Sequence, residues 1–517
     1  MPATPALLIR PGHLLLLGAL SLGGCLRLGP DFQPPAEDWS KQWQSPALEQ
    51  ASERGTVPDL RQWWQVFADP VLDRLISDAE ARNSSLKIAG LRVLEARAQL
   101  GIADSGRYPQ LQQASADSLY IDRHQSGGSN PQDLHFWQHS AAFDVGWELD
   151  FWGRFSRAIE SADASYFAAQ ANYEDALVLL RAQVADTYFA LRTTEARLRV
   201  ARENAAQQKR NFEITEKLFS SGQTAELDLQ QARTQYLGTL SSIPAFEDQL
   251  LRTRNALAVL VGQPPGGAAF LAEQPGLIPL VDRAVLQDVP ANLLLRRPDV
   301  RAAELNVAAQ SALVGVAETD LYPSLTLLGS IVWSSDTLGA TPRSLDLIGG
   351  PSLRWNLFDY GRIHNNIRVQ DARLQQLIEA YRDKVRQAAR EADDAASGLT
   401  KALERERILG EAEGAARRSL VLANTQYREG YSDFQRVLDA QRALLELQDN
   451  YLVSRSNAVS NLIALYRAVG GGWQSAGPQI DSTTRQQMQQ RTDWGDLLSA
   501  PAPRPTYPIP SQVDRHE

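Results

Sequence analysis

The chain has 517 residues, a formal charge of −9, a pI near 5.4, 22% charged residues and a mean hydropathy of −0.32. That hydropathy excludes a polytopic helical membrane protein, and the acidic balance argues against a nucleic-acid binder working through a basic surface. A single cysteine excludes a disulfide scaffold and a zinc site of several thiolates, but a β-barrel stays open because its alternating hydropathy averages out.

Residues 1–24 read as an export signal, with Arg10 supplying positive charge and Leu14 to Leu22 forming an apolar stretch too short to span a bilayer. Cys25 follows Leu22-Gly23-Gly24. A lone cysteine can be a small buried hydrophobe. In this setting the pattern resembles a bacterial lipobox, which implies that Cys25 becomes the acylated first residue of the mature chain, held in outer-membrane lipid. Leu26, rather than an aspartate, follows it, and by the same resemblance this favours sorting to the outer membrane. Residues 25–60 then form a lipidated N-terminal segment.

The remainder is organised by a repeat. At an offset of 208, Trp147, Leu149, Gly153 and Arg154 recur as Trp355, Leu357, Gly361 and Arg362. Gly222, Ala232, Leu257 and Gly262 recur as Gly430, Ala440, Leu465 and Gly470. Two copies of one large unit follow, at 61–262 and 296–473, joined by a connector at 263–295 that carries prolines and glycines.

Each unit predicts the same order of elements. A moderate helix, 71–107 or 298–321, ends at Tyr108-Pro109 or Tyr322-Pro323, where proline cannot continue it. Next comes period-two patterning. Trp137, His139, Ala141, Phe143, Val145 and Trp147 alternate with polar residues, as do Leu345, Leu347, Leu353, Trp355 and Leu357. Leu111 to Ile121 and Leu325 to Trp333 are the weaker partners, so the chain should hold two hairpins and four strands. Residues 154–220 then contain neither glycine nor proline, and 67 helical residues would span about 100 Å. In the second copy Tyr381, Val385, Ala388, Ala392, Ala396 and Leu399 keep helical spacing. Shorter helices return through 224–262, where Pro244 should introduce a kink, and through 432–469. Stacked end to end, a moderate helix and a return helix match one long helix. Beyond Trp473, residues 474–517 read as a disordered tail.

Four strands with one apolar face cannot close a barrel, and an open edge cannot persist in lipid. The expected architecture is therefore mostly α with a membrane β-barrel shared between subunits, Trp137, Trp147, Trp333 and Trp355 serving as aromatic girdles. A soluble sandwich face would show the same alternation.

The segments GPDFQPP (29–35), WWQVFADPVLDRLI (63–76), ARAQLGIADSGRYPQL (96–111), ALAVLVGQPP (256–265) and VPANLLLRRPDVRAAELNVAAQ (289–310) resemble the TolC/OprM-type outer-membrane efflux lipoproteins of the NodT subgroup. The resemblance runs from Cys25 to Trp473. It implies a homotrimer with a twelve-stranded barrel and a long periplasmic α-helical barrel, a passive duct docked to a periplasmic adaptor and an inner-membrane pump. It also implies that the hairpin tips close the tube. Asp439, in Val437-Leu438-Asp439-Ala440-Gln441, matches the family's constricting aspartate, although the position also reads as an ordinary solvated helix residue. Relatives that carry a second aspartate have it where this chain has Arg436, so an Arg436–Asp439 pair could replace a double acidic ring. Asp228, the counterpart of Arg436 in the first repeat, could be its partner across a subunit boundary. Gly222 and Gly430, also simple turn glycines, would touch the adaptor.

No nucleotide loop, nucleophile elbow, HExxH segment or cysteine pair is present in the sequence, so neither enzymatic activity nor a cofactor is expected. His135 and His139 are read as rim residues rather than metal ligands. Two other functions remain: an exit duct for secreted proteins, and a periplasmic coiled-coil protein without a pore.

Overall fold

The computed structural model describes residues 27–35, 43, 45, 60–123, 134–267, 277–281, 297–338, 344–472, 477 and 480–498. Residues 1–24, expected to be an export signal, and Cys25 lie outside the described residues.

A 3-10 turn, Trp63–Phe67, leads into α1 (Pro70–Arg82) and α2 (Ser84–Ser105), then the strands β1 (Leu111–Arg123) and β2 (Leu134–Glu148). The long α3 (Arg154–Ser220) and α4 (Glu226–Leu260) follow as a hairpin. The order then repeats with α5 (Pro298–Thr319), β3 (Ser324–Ser335), β4 (Ser344–Arg354), α6 (Arg362–Arg428) and α7 (Phe434–Ala468). At 67 residues each, α3 and α6 are about 100 Å long. Pro244 sits inside α4, which continues through it as a single helix of 35 residues.

Where one helix was expected over 71–107, the structure has two. Asn83 breaks the run in extended conformation, and its carboxamide oxygen accepts from Leu86 N at 3.0 Å, capping α2. Its Nδ2 donates to the carbonyl of Leu260 at 2.9 Å, so the end of α4 abuts the start of α2. Arg297 makes the equivalent junction in the second repeat, donating from Nη1 to the carbonyl of Ala468 at 2.9 Å. Each moderate helix thus continues the line of a return helix. Helix α3 packs against α2, α4, α5 and α7, and α6 packs against α5 and α7, giving a layer four helices wide.

The main core lies where these junctions meet, around Leu72, Leu75, Tyr188, Leu191, Leu257 and Leu399, all essentially solvent-free. Along α6 the residues at helical spacing, Tyr381, Val385, Ala388, Ala392, Ala396 and Leu399, form its buried stripe. A second, smaller cluster of Ala232, Leu420, Phe434, Val437, Leu438 and Leu444 closes the far end of the hairpins.

The segment beyond Trp473 is not wholly without structure. Ser482–Arg491 forms helix α8, capped by Asp481, whose side chain accepts from Thr484 N at 2.9 Å and pairs with Lys87 at 3.3 Å. Met488 is its one buried residue. A cap and an ion pair to α2, rather than an apolar stripe, hold this piece, which is why composition alone suggested disorder.

Candidate functional site

The four strands form one antiparallel sheet in the order β1-β2-β3-β4. Residues directly opposite share a face, so the registers Tyr120↔Trp137, Ala141↔Trp333, Phe143↔Ile331, Trp147↔Leu327, Ile331↔Leu347 and Trp333↔Leu345 build one apolar face. That face is open to the surroundings, with Trp137 52% and Leu347 76% exposed. The opposite face collects Asp117 across from Ser140, Asp144 across from Ser330, and Asp346 across from Val332. Ser330 Oγ donates to Asp144 at 2.6 Å. This is the division of a sheet with one side in hydrocarbon and the other in water. Among the described residues β1 and β4 each have only one neighbouring strand, which leaves two strand edges unpaired there. His139 Nδ1 lies 2.9 Å from Ser118 Oγ, and His135 Nδ1 lies 3.0 Å from Asp122 Oδ1, so each histidine has its own partner.

At the foot of the sheet the N-terminal strap 27–35 is pinned by Arg157, whose side chain is only 2% exposed. Its Nε donates to the carbonyl of Leu28 at 2.9 Å and its Nη2 to the carbonyl of Gly29 at 3.1 Å and to Asp31 at 2.8 Å. Nη1 donates to Glu160 at 2.9 Å. Burial works against this cation, but hydrogen bonds to Asp31 and Glu160 outweigh it and raise the guanidinium's pKa. The strap lies tight against α5: a Cβ on Gly29 would collide with the backbone of Gly315. Leu28 N also donates to the carbonyl of Trp152 at 3.2 Å.

At the other end, the hairpin tips turn through Gly222 and Gly430 at φ +75° and +78°, the left-handed region that favours glycine. Each turn is closed in the same way, Gln223 N donating to Leu218 O at 2.8 Å and Tyr431 N to Gln426 O at 2.9 Å. Among the described residues nothing lies within 4 Å of where a Cβ on either glycine would stand. Asp439 is exposed one to two turns into α7, accepting from Gln435 Nε2 at 2.9 Å and pairing with Arg442 at 3.5 Å. Within the chain its cationic partner is thus Arg442, not Arg436. An acid three residues before a base on a helix also suits the helix dipole, whereas Arg436 precedes Asp439. Arg436 is exposed, its backbone N donating to the cap Asp433 at 3.3 Å. Asp228 accepts from Thr224 Oγ1 at 2.6 Å. Burial raises the pKa of Tyr427, and the negative charge of Asp228 adds to it. Arg442 Nε reaches Gln235 at 2.9 Å, tying α7 to α4. Arg442 was missed in the sequence reading, although an aspartate followed three residues later by an arginine was a usable signal.

Midway along the rod, Arg297 also donates to Asp299 and Glu391, both at 2.9 Å, and Lys384 pairs with Asp299 at 3.4 Å. Burial would raise Asp299, but Arg297 and Lys384 hold it below the usual carboxylate range. Asp175, beside this cluster, is pushed up to about 6 by burial and by Asp299, against the pull of Lys384 and Arg297. Glu174 is pushed up to about 7 by burial, only partly countered by Arg301.

An amphipathic sheet with open edges, continued by helices about 100 Å long, defines a membrane-channel subunit. The sequence model of the outer membrane efflux protein family matches residues 75–263 and 289–471. The chain is similar to the pyoverdine export outer membrane protein OpmQ of Pseudomonas putida, at 32% identity over 90% of this chain and 99% of that one. It is also similar to the probable outer membrane lipoprotein SilC of Salmonella typhimurium, at 30% identity over 87% and 96%. Among solved structures it resembles the outer-membrane channel OprN, with a TM-score of 0.79 and 32% identity over 87% of this chain and 100% of that one. The chain belongs to the outer membrane efflux protein family, and its place is the outer membrane.

Proposed function

We propose that three copies of this chain pair their sheet edges into a twelve-stranded barrel and their helices into a periplasmic tube, forming the passive exit duct of a tripartite pump. The observation that carries this reading is the sheet: one apolar face, one polar face, and two unpaired edges that only further copies can satisfy in lipid. The duct has no catalytic step of its own, so the free energy for export comes from an inner-membrane partner, linked through a periplasmic adaptor that docks at the Gly222 and Gly430 tips. Cys25 carries the acyl anchor. The tube narrows at the tips, where three Asp439 carboxylates around a common axis repel one another and attract cations, and Arg442 shares that charge with them. The substrates are small molecules selected by the pump. The test is drug and metal susceptibility of a deletion strain with and without its cognate pump. The reading predicts that deleting the duct mimics deleting the pump; unchanged export of every pump substrate would refute it.

A further inference from the structure

Alternate residues of a strand face opposite sides, so the register assigns every rung of the sheet to the lipid or to the lumen. Three successive lumenal rungs cross all four strands. They are Asp117, Ser140, Ser334 and Ser344; then Ser115, Ala142, Val332 and Asp346; then Gln113, Asp144, Ser330 and Ile348. Each rung holds one aspartate and no base. Asp117 and Asp346 are exposed and Asp144 is half-buried. The hydrogen bonds that Asp144 and Asp346 accept from Ser330, at 2.6 Å, and Ser344, at 3.1 Å, come from neutral hydroxyls. Rungs stand two residues apart on each strand, about 7 Å, so the aspartates are spread over about 14 Å rather than gathered. Among the described residues no group of acids could hold a metal ion. Toward the helices, Glu148 lies opposite Thr326 and Arg354 lies opposite Ser324 one rung on, so acid and base offset each other there.

We propose that these three rungs hold the barrel lumen electronegative, so that it concentrates cationic cargo and holds back anionic cargo on the last leg of export. The proposal rests on the exit-duct reading and adds to it the charge class of the favoured substrate. Three copies of the chain bring nine carboxylates onto one water-filled wall, backed by lipid-facing side chains such as Phe143 and Leu347. A channel lined by one sign of charge within low-dielectric walls focuses its field and raises the local concentration of counter-ions, by about tenfold or more. At about 0.1 M salt the screening length is about 10 Å, longer than the spacing of the rungs, so their fields overlap. Asp439 sits at the opposite end of the molecule, where the tube narrows. The barrel acts on cargo that has already passed that tip.

The test reads the local field with thiol reagents on the full-length protein reconstituted in lipid vesicles. Ser140→Cys places a thiol on the rung of Asp117, and the protein without it corrects for the native Cys25. The probes are trimethylammonium-ethyl and sulfonato-ethyl methanethiosulfonate, one cationic and one anionic. At about 0.1 M salt the cationic probe should be favoured about tenfold more than it is by a small free thiol. Asp117→Asn, Asp144→Asn and Asp346→Asn combined should remove that excess. Salt at about 1 M, where the screening length is about 3 Å, should remove it without any substitution. An excess that survives either treatment, or none in Ser140→Cys at the lower salt, would overturn the proposal. Ala141→Cys, one residue away on the lipid face, should react with neither probe. Ready reaction there with both probes would remove the membrane reading itself. A silent Ala141→Cys with no excess at Ser140→Cys would remove this inference alone.

Discussion

Replacing Arg157 by methionine should release the N-terminal strap while leaving the long helices folded. The side chain keeps its volume but loses all four charge-assisted bonds, three of them to the strap at Leu28, Gly29 and Asp31. A hydrogen bond to a charged group contributes about 1.5–3 kcal/mol net, so the three strap bonds hold it with about 4–9 kcal/mol. The Asp31 carboxylate is 89% exposed and its bond is screened by solvent, which limits the net shift to about 3–5 kcal/mol. That corresponds to an opening equilibrium raised by two to three orders of magnitude or more. The readout is amide exchange at Leu28, whose N–H is bonded to Trp152. Protection there should collapse, and a protease should cut within 27–35, while exchange along α3 stays slow. Undiminished protection at Leu28 would refute the clamp. Loss of protection along α3 would show that Arg157 holds the fold rather than the strap.

Other predictions follow from the rod and its tips. Glu174 binds its proton more tightly folded, near 7, than unfolded, so its site loses stability as pH rises from about 4.5 to about 7. Glu174→Gln should therefore raise the thermal midpoint at pH 8, by at most about 3 kcal/mol of stability, and leave it unchanged at pH 4; an equal shift at both would contradict the assignment. Asp439→Ala and Arg442→Ala should change stability by under about 1 kcal/mol, because both side chains are exposed, yet alter single-channel conductance, the aspartate variant also losing cation preference. Identical conductance and selectivity in both would remove Asp439 from the constriction. Gly222→Ala meets open space and only the left-handed backbone penalty of about 1 kcal/mol, so the protein should fold. Gly430→Trp should block export in cells while leaving conductance intact, if the tip is a docking point.

The long helices and the strands were legible because their signals are periodic and extend over many residues. Alternation from Trp137 to Trp147 marked β2, and the unbroken run 154–220 coincides with α3. Strand β1 was weaker in sequence because Gln112, Ala114, Ala116 and Ser118 dilute its apolar face opposite β2. The break at Asn83 was invisible because helical spacing resumes at once on either side of a single cap. The helix at 482–491 was hidden for the opposite reason, since only Met488 in it is buried. Arg157 could not be found from pattern at all: its partner Asp31 lies 126 residues away, and nothing in local sequence distinguishes a buried arginine from a solvated one. At the tip, a motif drew attention to Asp439 and its upstream neighbour, while the geometry selected Arg442 downstream.

The central claim is that the open edges of this sheet are closed by other copies of the same chain. Disulfide trapping in membranes tests it directly, with Gln113→Cys on β1 and single cysteines placed in turn along the exposed β4 edge from Ser344 to Arg354. The account predicts covalent species of two and three chains at one register of β4, with alternate positions failing because they face the other side of the sheet. Crosslinks confined to single chains at every register, with the protein recovered as a soluble monomer, would contradict it.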